Sequence, residues 1–466
     1  MKNNKTFKYV IEVISVIAAI AVCMMSPTDM LSKQALLVLG ITLWGVINLV
    51  IGLFDSYVVG LTMCMLWFVS GAVPIGTAMA GFTSTTWWLI IGVMGLGAAV
   101  SKSGLLKRLS LLSLKFFKPT YSGQLLAIVI MGVCIAPLIP STTAKCAIMG
   151  ALVLGICDEL GLPKRGMGRF GLLMALWLGF NISGNFFVNA SFQGYMVLGQ
   201  LPAETQEIYN WTTWFIRSLP WSVTVTVLYY LFIKFFYKET NTKEISKEYI
   251  DEQFKALGGF TRDEKIVAAV MAVCLVLFVF EQQTGIGSVV VAVLAMCALS
   301  MLKVIGPQEF VGKTLWPLIV FIGVALGMGG VFSAVGITNW LVALLQPIAQ
   351  GLTNPYLFVI VICLITYVVR ILVDQVSTNV LLVSIVIPLA QGLGMDPWIG
   401  AVIVYGCSVV FYPTYVHPNM LICYGAVGGE ENVDIKHALT ADIAYMVVCM
   451  IGFLISVPFW QMFGMI

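Results

Sequence analysis

The chain has 466 residues, of which 60% are hydrophobic and only 10% are charged, and its formal net charge is +3. Soluble globular proteins carry about 25% charged residues, so this composition excludes an ordinary soluble domain and indicates an integral membrane protein. The sequence has only two histidines, which excludes a histidine-rich metal site, and its 11 cysteines form no CxxC pair. We interpret these cysteines as packing residues.

Long apolar stretches predict the membrane-spanning helices, because a helix needs about 20 mostly apolar residues to cross a bilayer. We expect eleven crossings, at residues 7–25, 35–53, 57–75, 85–101, 170–198, 212–234, 265–281, 285–302, 315–335, 398–426 and 438–462. Two longer segments, 122–160 and 356–393, are each interrupted by polar residues, and we expect each to fold back on itself as a re-entrant hairpin. The predicted fold class is therefore an all-α polytopic membrane protein.

The positions of Lys and Arg predict the orientation of these helices. With the N-terminus inside, 21 of the 25 cations lie in inside loops, and only Lys33 and Arg217 lie outside. This distribution obeys the positive-inside rule. The first apolar run resembles a signal peptide in its charges but has no small-residue cleavage site, so we interpret it as a helix. We expect a multi-pass protein of the cell (inner) membrane, with a cytoplasmic N-terminus and the C-terminus outside.

The two halves of the chain repeat each other. Ser141 matches Ser377 at an offset of 236 residues, and Asn185 matches Asn419 at 234. Each half has five predicted crossings, and because five is odd, the second half is inverted relative to the first, as in many secondary transporters. The predicted organisation is an N-terminal helix (1–30), a first repeat (31–237), a cytoplasmic linker (238–264) and a second repeat (265–466).

The predicted tips of the hairpins are two triplets, Ser141-Thr142-Thr143 and Ser377-Thr378-Asn379. Their hydroxyl and amide groups, together with freed backbone groups, can bind a carboxylate and a hard cation such as Na⁺. The second limb of each hairpin begins at its triplet, so its positive dipole end points at the tip. A simple helix cap is the alternative for either triplet alone. Their repetition favours a binding function.

Polar residues beyond each hairpin predict two broken helices. Asn185 and Asn419 lie in these breaks and are candidate partners of the triplets across the site, with helix–helix hydrogen bonding as the alternative. His417 either contacts substrate, titrates near neutral pH or caps the break.

Three further ionisable residues lie at membrane depth. Lys145 follows Ser141 by one helical turn, which makes it the best candidate countercharge for an anion, unless it only anchors the limb. Replacing Lys145 by alanine should then weaken binding sharply. Arg370 and Asp374 are spaced i, i+4 and either neutralise each other, or Asp374 holds a cation or a proton.

These motifs resemble the divalent anion:sodium symporter (DASS) family, which carries Ser-Asn-Thr signatures at two hairpin tips. The run 140–145, Pro-Ser-Thr-Thr-Ala-Lys, resembles the Pro-Ser-Asn-Thr-Ala-Arg variant of the branch that handles 2-oxoglutarate, malate, citrate and tartrate. The second triplet and Pro418-Asn419 resemble the second set. The resemblance implies secondary transport of di- or tricarboxylates by a homodimer with elevator-like motion, and no cofactor beyond Na⁺ as coupling ion. It implies sodium ligands at Ser141, Asn185, Ser377 and Asn379.

The sequence also departs from the family pattern. Thr142 stands where the family has Asn, and Thr378-Asn379 reverses the family's Asn-Thr. A sodium-independent dicarboxylate exchanger is therefore an alternative to symport. An anion channel is a weaker alternative, because hairpins that open from opposite sides favour alternating access. We expect no enzyme, since no HExxH or GxSxG motif is present, and the expected partners are a small di- or tricarboxylate and the lipid bilayer, not nucleic acid.

Overall fold

The computed structural model describes residues 5–139, 141–240, 242–312, 316–413 and 417–466. Pro140 of the first tip and residues 414–416 of the second break lie outside the described residues. The α-helices of the first half are, in chain order, α1 (Lys5–Met24), α2 (Lys33–Ile51), α3 (Ser56–Val69), α4 (Ile75–Ala78), α5 (Thr85–Ser103), α6 (Leu105–Phe116), α7 (Tyr121–Ile135), α8 (Thr142–Glu159), α9 (Met167–Phe180), α10 (Phe192–Leu198), α11 (Ala203–Ile208) and α12 (Trp211–Phe236).

The second half of the chain continues the same all-helical pattern within the described ranges. Its α-helices are α13 (Lys247–Leu257), α14 (Arg262–Val279), α15 (Glu281–Thr284), α16 (Ser288–Met301), α17 (Pro307–Gly312), α18 (Trp316–Ala334), α19 (Ile337–Gly351), α20 (Pro355–Leu372), α21 (Gln375–Gly392), α22 (Pro397–Cys407), α23 (Pro418–Ala426), α24 (Gly429–Asn432) and α25 (Ala438–Met462). Short 3₁₀ turns cover Ala80–Thr83, Ala136–Leu138, Ile182–Asn185 and Ile435–His437.

The lengths of these helices confirm a polytopic all-α membrane protein. In the described part of the chain, seven helical segments are long and apolar enough to cross a bilayer, and α5 with α6, which bend by 68° at Gly104, can form an eighth. Three shorter apolar helices, α3, α16 and α22, coincide with further predicted spans. The number of eleven crossings stays a prediction, because length and composition alone do not decide which short helices complete a crossing.

Two helix pairs occupy the segments that the sequence predicts as hairpins. The first is α7 and α8, and the second is α20 and α21. Each second limb ends at a leucine followed by a glycine with positive φ, Gly161 at 66° and Gly394 at 72°. Glycine adopts this left-handed conformation without steric cost, so it ends a helix sharply. The return of each pair to the side of the membrane from which it came stays a prediction.

Two helices are interrupted where the sequence predicts breaks. Between α9 and α10 the α-helix gives way to the 3₁₀ turn Ile182–Asn185 and an irregular segment, both rich in Asn and Ser, whose side chains compete for backbone hydrogen bonds. Between α22 and α23 the chain is likewise non-helical over its described residues 408–413 and 417. Helices α8, α9 and α23 pack together around these breaks, and α21 packs against α22. The tips and the breaks therefore meet in the interior of the protein.

Glycine permits the closest helix approach in this region. Helices α7 and α9 cross at Gly132 and Gly179, where a Cβ atom on Gly132 would overlap the carbonyl of Gly179. Helices α3, α4 and α18 pack against one another, and α3 and α18 supply the opposite wall of the cavity described below.

The predicted linker contains α13, and Arg108 on α6 donates to the Gly258 and Gly259 carbonyls at 3.1 and 3.0 Å.

Candidate functional site

One cavity of about 640 Å³ contacts both predicted tips and the second break. The first tip contributes Thr143, the second tip Ser377, and the second break His417 and Asn419. The opposite wall consists of residues 55–57 at the start of α3, with Pro317, Leu318 and Phe321 at the start of α18. The structure thus brings together predicted site residues that lie more than 230 positions apart in the sequence.

The first tip is a capped helix start that is linked to both breaks. Ser141 caps α8 by accepting a hydrogen bond from the Ala144 N–H at 3.3 Å. The Thr143 hydroxyl donates to Asn419 Oδ1 at 3.1 Å, and Asn419 Nδ2 donates to Asn181 Oδ1 at 3.0 Å. These hydrogen bonds hold the Thr143 hydroxyl and the Asn419 amide side by side on the cavity wall.

Helices α8 and α23 run side by side from the cavity in the same direction. Thr143 contacts Asn419 near their N-termini, and further along, Gly150 lies against Ala426 so closely that a Cβ on Gly150 would overlap the alanine methyl group. Both N-termini therefore face the same cavity. Because each helix carries partial positive charge at its N-terminus, this end of the cavity favours an anion.

The second tip differs from the first in charge, because a carboxylate lies at its helix N-terminus. Asp374 is the N-cap of α21, and its Oδ1 accepts from the N–H groups of Val376 and Ser377 at 2.9 and 3.1 Å. Asp374 also lines the cavity. A carboxylate already occupies the positive end of α21, so this tip suits a cation better than a second anion.

The remaining residues of the second tip, Thr378 and Asn379, lie behind Ser377 and are not among the residues that line the cavity. Thr378 and Asn379 are fully buried, and within the described residues neither the Thr378 hydroxyl nor the Asn379 amide has a hydrogen-bond partner. A buried polar group without a partner costs about 1–3 kcal/mol. Oxygen ligands suit a hard cation, so Asn379 Oδ1 and the neighbouring hydroxyls are suitable sodium ligands. Asn185, predicted as a ligand at the first tip, is buried and donates to the Tyr405 carbonyl at 3.1 Å.

Lys145 lies behind the first tip and is not among the residues that line the cavity. Its side chain is fully buried, and its Nζ donates to the Ala190 carbonyl in the first break at 3.0 Å. In this state the ammonium group anchors α8 to the broken helix of its own half. Its role as a direct countercharge to the substrate stays a prediction. Thr142, the first helical residue of α8, likewise does not line the cavity.

His417 precedes α23 and lines the cavity. Its ring is 1% exposed and packs edge-on against Trp177, with 4.7 Å between the ring centroids. Neither ring nitrogen has a hydrogen-bond partner among the described residues. The geometry therefore leaves this imidazole available to a polar group in the cavity.

Arg370 and Asp374 do not neutralise each other as an i, i+4 pair. Helix α20 ends at Leu372, so Asp374 belongs to the start of the next helix and not to the face of α20 that carries Arg370. The Arg370 guanidinium instead donates to the carbonyls of Ser408 and Val410, both at 2.7 Å, and to that of Val373. The expected contact on one helix face is wrong, because it assumed a continuous helix. The Asp374 carboxylate acts on Arg370 through space, without a hydrogen bond.

Sequence reasoning missed Asp442, which holds the same break from the other side. The carboxylate is fully buried in α25 and accepts from the N–H groups of Phe411 and Tyr412 at 3.0 and 2.9 Å. Arg370 thus satisfies carbonyls and Asp442 satisfies N–H groups of one non-helical segment. A single acid inside an apolar helix was the available signal, because such residues are rare unless they have a specific role.

A pair of amides on the cavity wall was also missed. Gln193 on α10 donates through Nε2 to Gln375 Oε1 on α21 at 3.2 Å, and Gln375 Nε2 lies 3.5 Å from Ser408 Oγ. Both glutamines line the cavity. They come from opposite halves of the chain, so their proximity has no signature in the sequence.

Comparison with known proteins agrees with this architecture. Residues 5–466 match the family described as sodium:sulfate symporter transmembrane region. The structure is similar to the crystal structure of the YdaH transporter of Alcanivorax borkumensis, with a TM-score of 0.56, 15% identity, and coverage of 83% of this chain and 87% of that one. At this identity, the similarity supports the fold alone.

Curated relatives carry transporter names. The chain is 25% identical to dicarboxylate transporter 2, chloroplastic, of Spinacia oleracea over 59% of this chain and 50% of that protein. It is 25% identical to the citrate/succinate antiporter of Escherichia coli K12 over 68% of this chain and 66% of that protein. The matches with the first relatives span about half of their lengths. The chain belongs to the sodium:sulfate symporter transmembrane region family, that is, to the divalent anion:sodium symporters, which are transporters and not enzymes.

Proposed function

We propose that the protein is a secondary active transporter of small dicarboxylates that uses Na⁺ as coupling ion. One observation carries this proposal: both tips face a single cavity whose two ends differ in charge character. The N-termini of α8 and α23 favour a carboxylate at one end. The Asp374 carboxylate and the buried oxygens of the second tip favour a cation at the other.

The charges of the cavity wall support coupling to a cation. Asp55 and Asp374 line the cavity, whereas no Lys or Arg is among its described lining residues. A dicarboxylate brings two further negative charges into a site whose low dielectric strengthens repulsion. Binding of Na⁺ near Asp374 and Asn379 would offset this repulsion, so substrate and cation would enter together.

The position of the cavity supports alternating access. The wall opposite the tips is formed by the starts of α3 and α18, and the distribution of Lys and Arg predicts that both lie on the cytoplasmic side. In that orientation the cavity would face the cytoplasm. Transport requires a second state in which the tips reach the outside, and we propose an elevator-like motion of the hairpins in a homodimer of the cell (inner) membrane.

A dicarboxylate exchanger is the second candidate. The name of the citrate/succinate antiporter favours it, as does Thr142, which lacks the amide oxygen that a first sodium site would use. The two mechanisms differ in net charge moved. One elementary charge is worth about 2.3 kcal/mol per 100 mV, so membrane potential drives an electrogenic symporter but not a balanced exchange.

Uptake into proteoliposomes tests the proposal. Labelled succinate and malate are offered with and without an inward sodium gradient, and with and without internal dicarboxylate. We expect accumulation that follows the sodium gradient and needs no internal counter-substrate. Uptake that ignores sodium but requires internal dicarboxylate would establish exchange, and no uptake of any dicarboxylate would refute the proposal.

A variant of the second tip separates the sodium site from the rest of the cavity. We expect Asn379→Leu to raise the sodium concentration needed for half-maximal uptake, because it removes a buried oxygen ligand. Ser384→Ala is the matched control on the same helix, since Ser384 donates only to the Leu381 carbonyl of α21 at 2.8 Å. Equal sodium dependence in both variants would exclude Asn379 as a ligand.

A further inference from the structure

Two glutamines on the cavity wall, Gln193 and Gln375, belong to neither the proposed sodium site nor the proposed carboxylate site. The two side chains are 6% and 4% exposed, and they join the N-terminal turns of α10 and α21. Each amide offers both a donor and an acceptor, and their mutual hydrogen bond uses only one of each. The pair can therefore accept a further polar group from the cavity.

The neighbouring charge decides which kind of group this is. Gln375 directly follows Asp374, whose carboxylate lines the same cavity. The Na⁺ proposed near Asp374 compensates the charge of that carboxylate alone. The carboxylates of the substrate are therefore better stabilised at the first tip, where the positive ends of α8 and α23 lie. A neutral group that both donates and accepts suits this position, and a hydroxyl has these properties.

We propose that the Gln193–Gln375 pair hydrogen-bonds the hydroxyl of a 2-hydroxy dicarboxylate of the malate type. This inference rests on the proposed function and names the substrate class of its site. The protein would then favour hydroxylated dicarboxylates over succinate, which has the same two carboxylates and no hydroxyl. Gln193 and Gln375 would act as specificity-determining residues.

The geometry also limits how large the preference is. A site whose polar groups stay unpaired without the hydroxyl can discriminate by 10⁴-fold or more. Here the two amides bond to each other at 3.2 Å when no hydroxyl is present, so succinate leaves this donor–acceptor contact intact. We expect a preference of about tenfold, which corresponds to roughly 1.4 kcal/mol.

Competition for labelled succinate uptake measures this preference. In the wild type, unlabelled malate should halve uptake at about one tenth of the succinate concentration. In Gln193→Leu the two acids should become equal, while the value for succinate stays within about twofold of the wild type. Gln391→Leu, an exposed glutamine at the other end of α21, is the matched control and should keep the wild-type ratio.

Each outcome decides between the inference and a purely structural role. A cross-link between the two halves would weaken both acids equally, so an unchanged ratio in Gln193→Leu overturns the inference. If that variant does not transport, thermal stabilisation of purified Gln375→Leu by malate and by succinate gives the same ratio. Equal affinities in the wild type refute only this inference, whereas absence of any dicarboxylate uptake refutes the proposed function itself.

Discussion

Removing the Asp442 carboxylate should destabilise the second break. This side chain accepts two backbone hydrogen bonds, from Phe411 at 3.0 Å and Tyr412 at 2.9 Å, and it is 0% exposed. Each buried N–H left without an acceptor costs about 1–3 kcal/mol, so Asp442→Ala should lose roughly 2–6 kcal/mol. Asp442→Asn keeps one carbonyl oxygen and should lose about half of this. Arg370 would also lose a nearby carboxylate, which adds to the effect in both variants.

Thermal unfolding in detergent measures the effect, followed by a thiol-reactive dye that labels buried cysteines as they become exposed. Ser456→Ala is the matched control, because Ser456 is buried in the same helix and donates only to the Gly452 carbonyl at 2.9 Å. The expected order of midpoints is wild type and Ser456→Ala highest, then Asp442→Asn, then Asp442→Ala. The same midpoint in Asp442→Ala and Ser456→Ala would refute the assigned role.

Three further predictions concern the first tip and its packing. Lys145→Met should lower the maximal rate of uptake more than it raises KM, because the ammonium group holds the first break; a dominant rise in KM would show direct contact with substrate. Thr143→Val should raise KM for succinate about fivefold through loss of roughly 1 kcal/mol of hydrogen bonding, and unchanged initial rates across the concentration range would contradict this. Gly132→Ala should destabilise the α7–α9 crossing by about 1–3 kcal/mol in thermal unfolding, whereas Gly425→Ala, which has open space around it, should not; equal midpoints would exclude close packing at Gly132.

The fold could be predicted to a large extent because each physical requirement leaves a local mark. A spanning helix needs a long apolar run, and a break at membrane depth needs polar residues that satisfy free backbone groups. The Leu-Gly pairs at 160–161 and 393–394 lie at the ends of two helices, since only glycine adopts positive φ freely. The number of membrane crossings leaves no such local mark, because the length of a short helix does not show whether it completes a crossing. The eleven crossings therefore stay a prediction.

The site was less accessible to sequence reasoning where it depends on contacts between distant elements. The triplets and Asn419 could be predicted because they recur in both halves at similar offsets, 236 and 234 residues. Gln193 and Gln375 are 182 residues apart and belong to no repeated motif. For Arg370 and Asp374 the sequence predicts a side-chain contact that the structure does not form. Their i, i+4 spacing implies contact only on a continuous helix, and α20 ends at Leu372. Local spacing is reliable only within an uninterrupted element.

Lys145 and Arg370 have the same structural role in opposite halves of the chain. Each is a buried cation on a limb of one helix pair, and each donates to carbonyls in the broken helix of its own half, at Ala190 and at Ser408 and Val410. Hydrogen bonds to a charged group contribute about 1.5–3 kcal/mol each, and their buried carbonyls have no water to replace them. A hairpin that moved without its broken helix would lose this stabilisation. In the proposed elevator-like motion, each hairpin would therefore move together with its broken helix and carry the binding site intact.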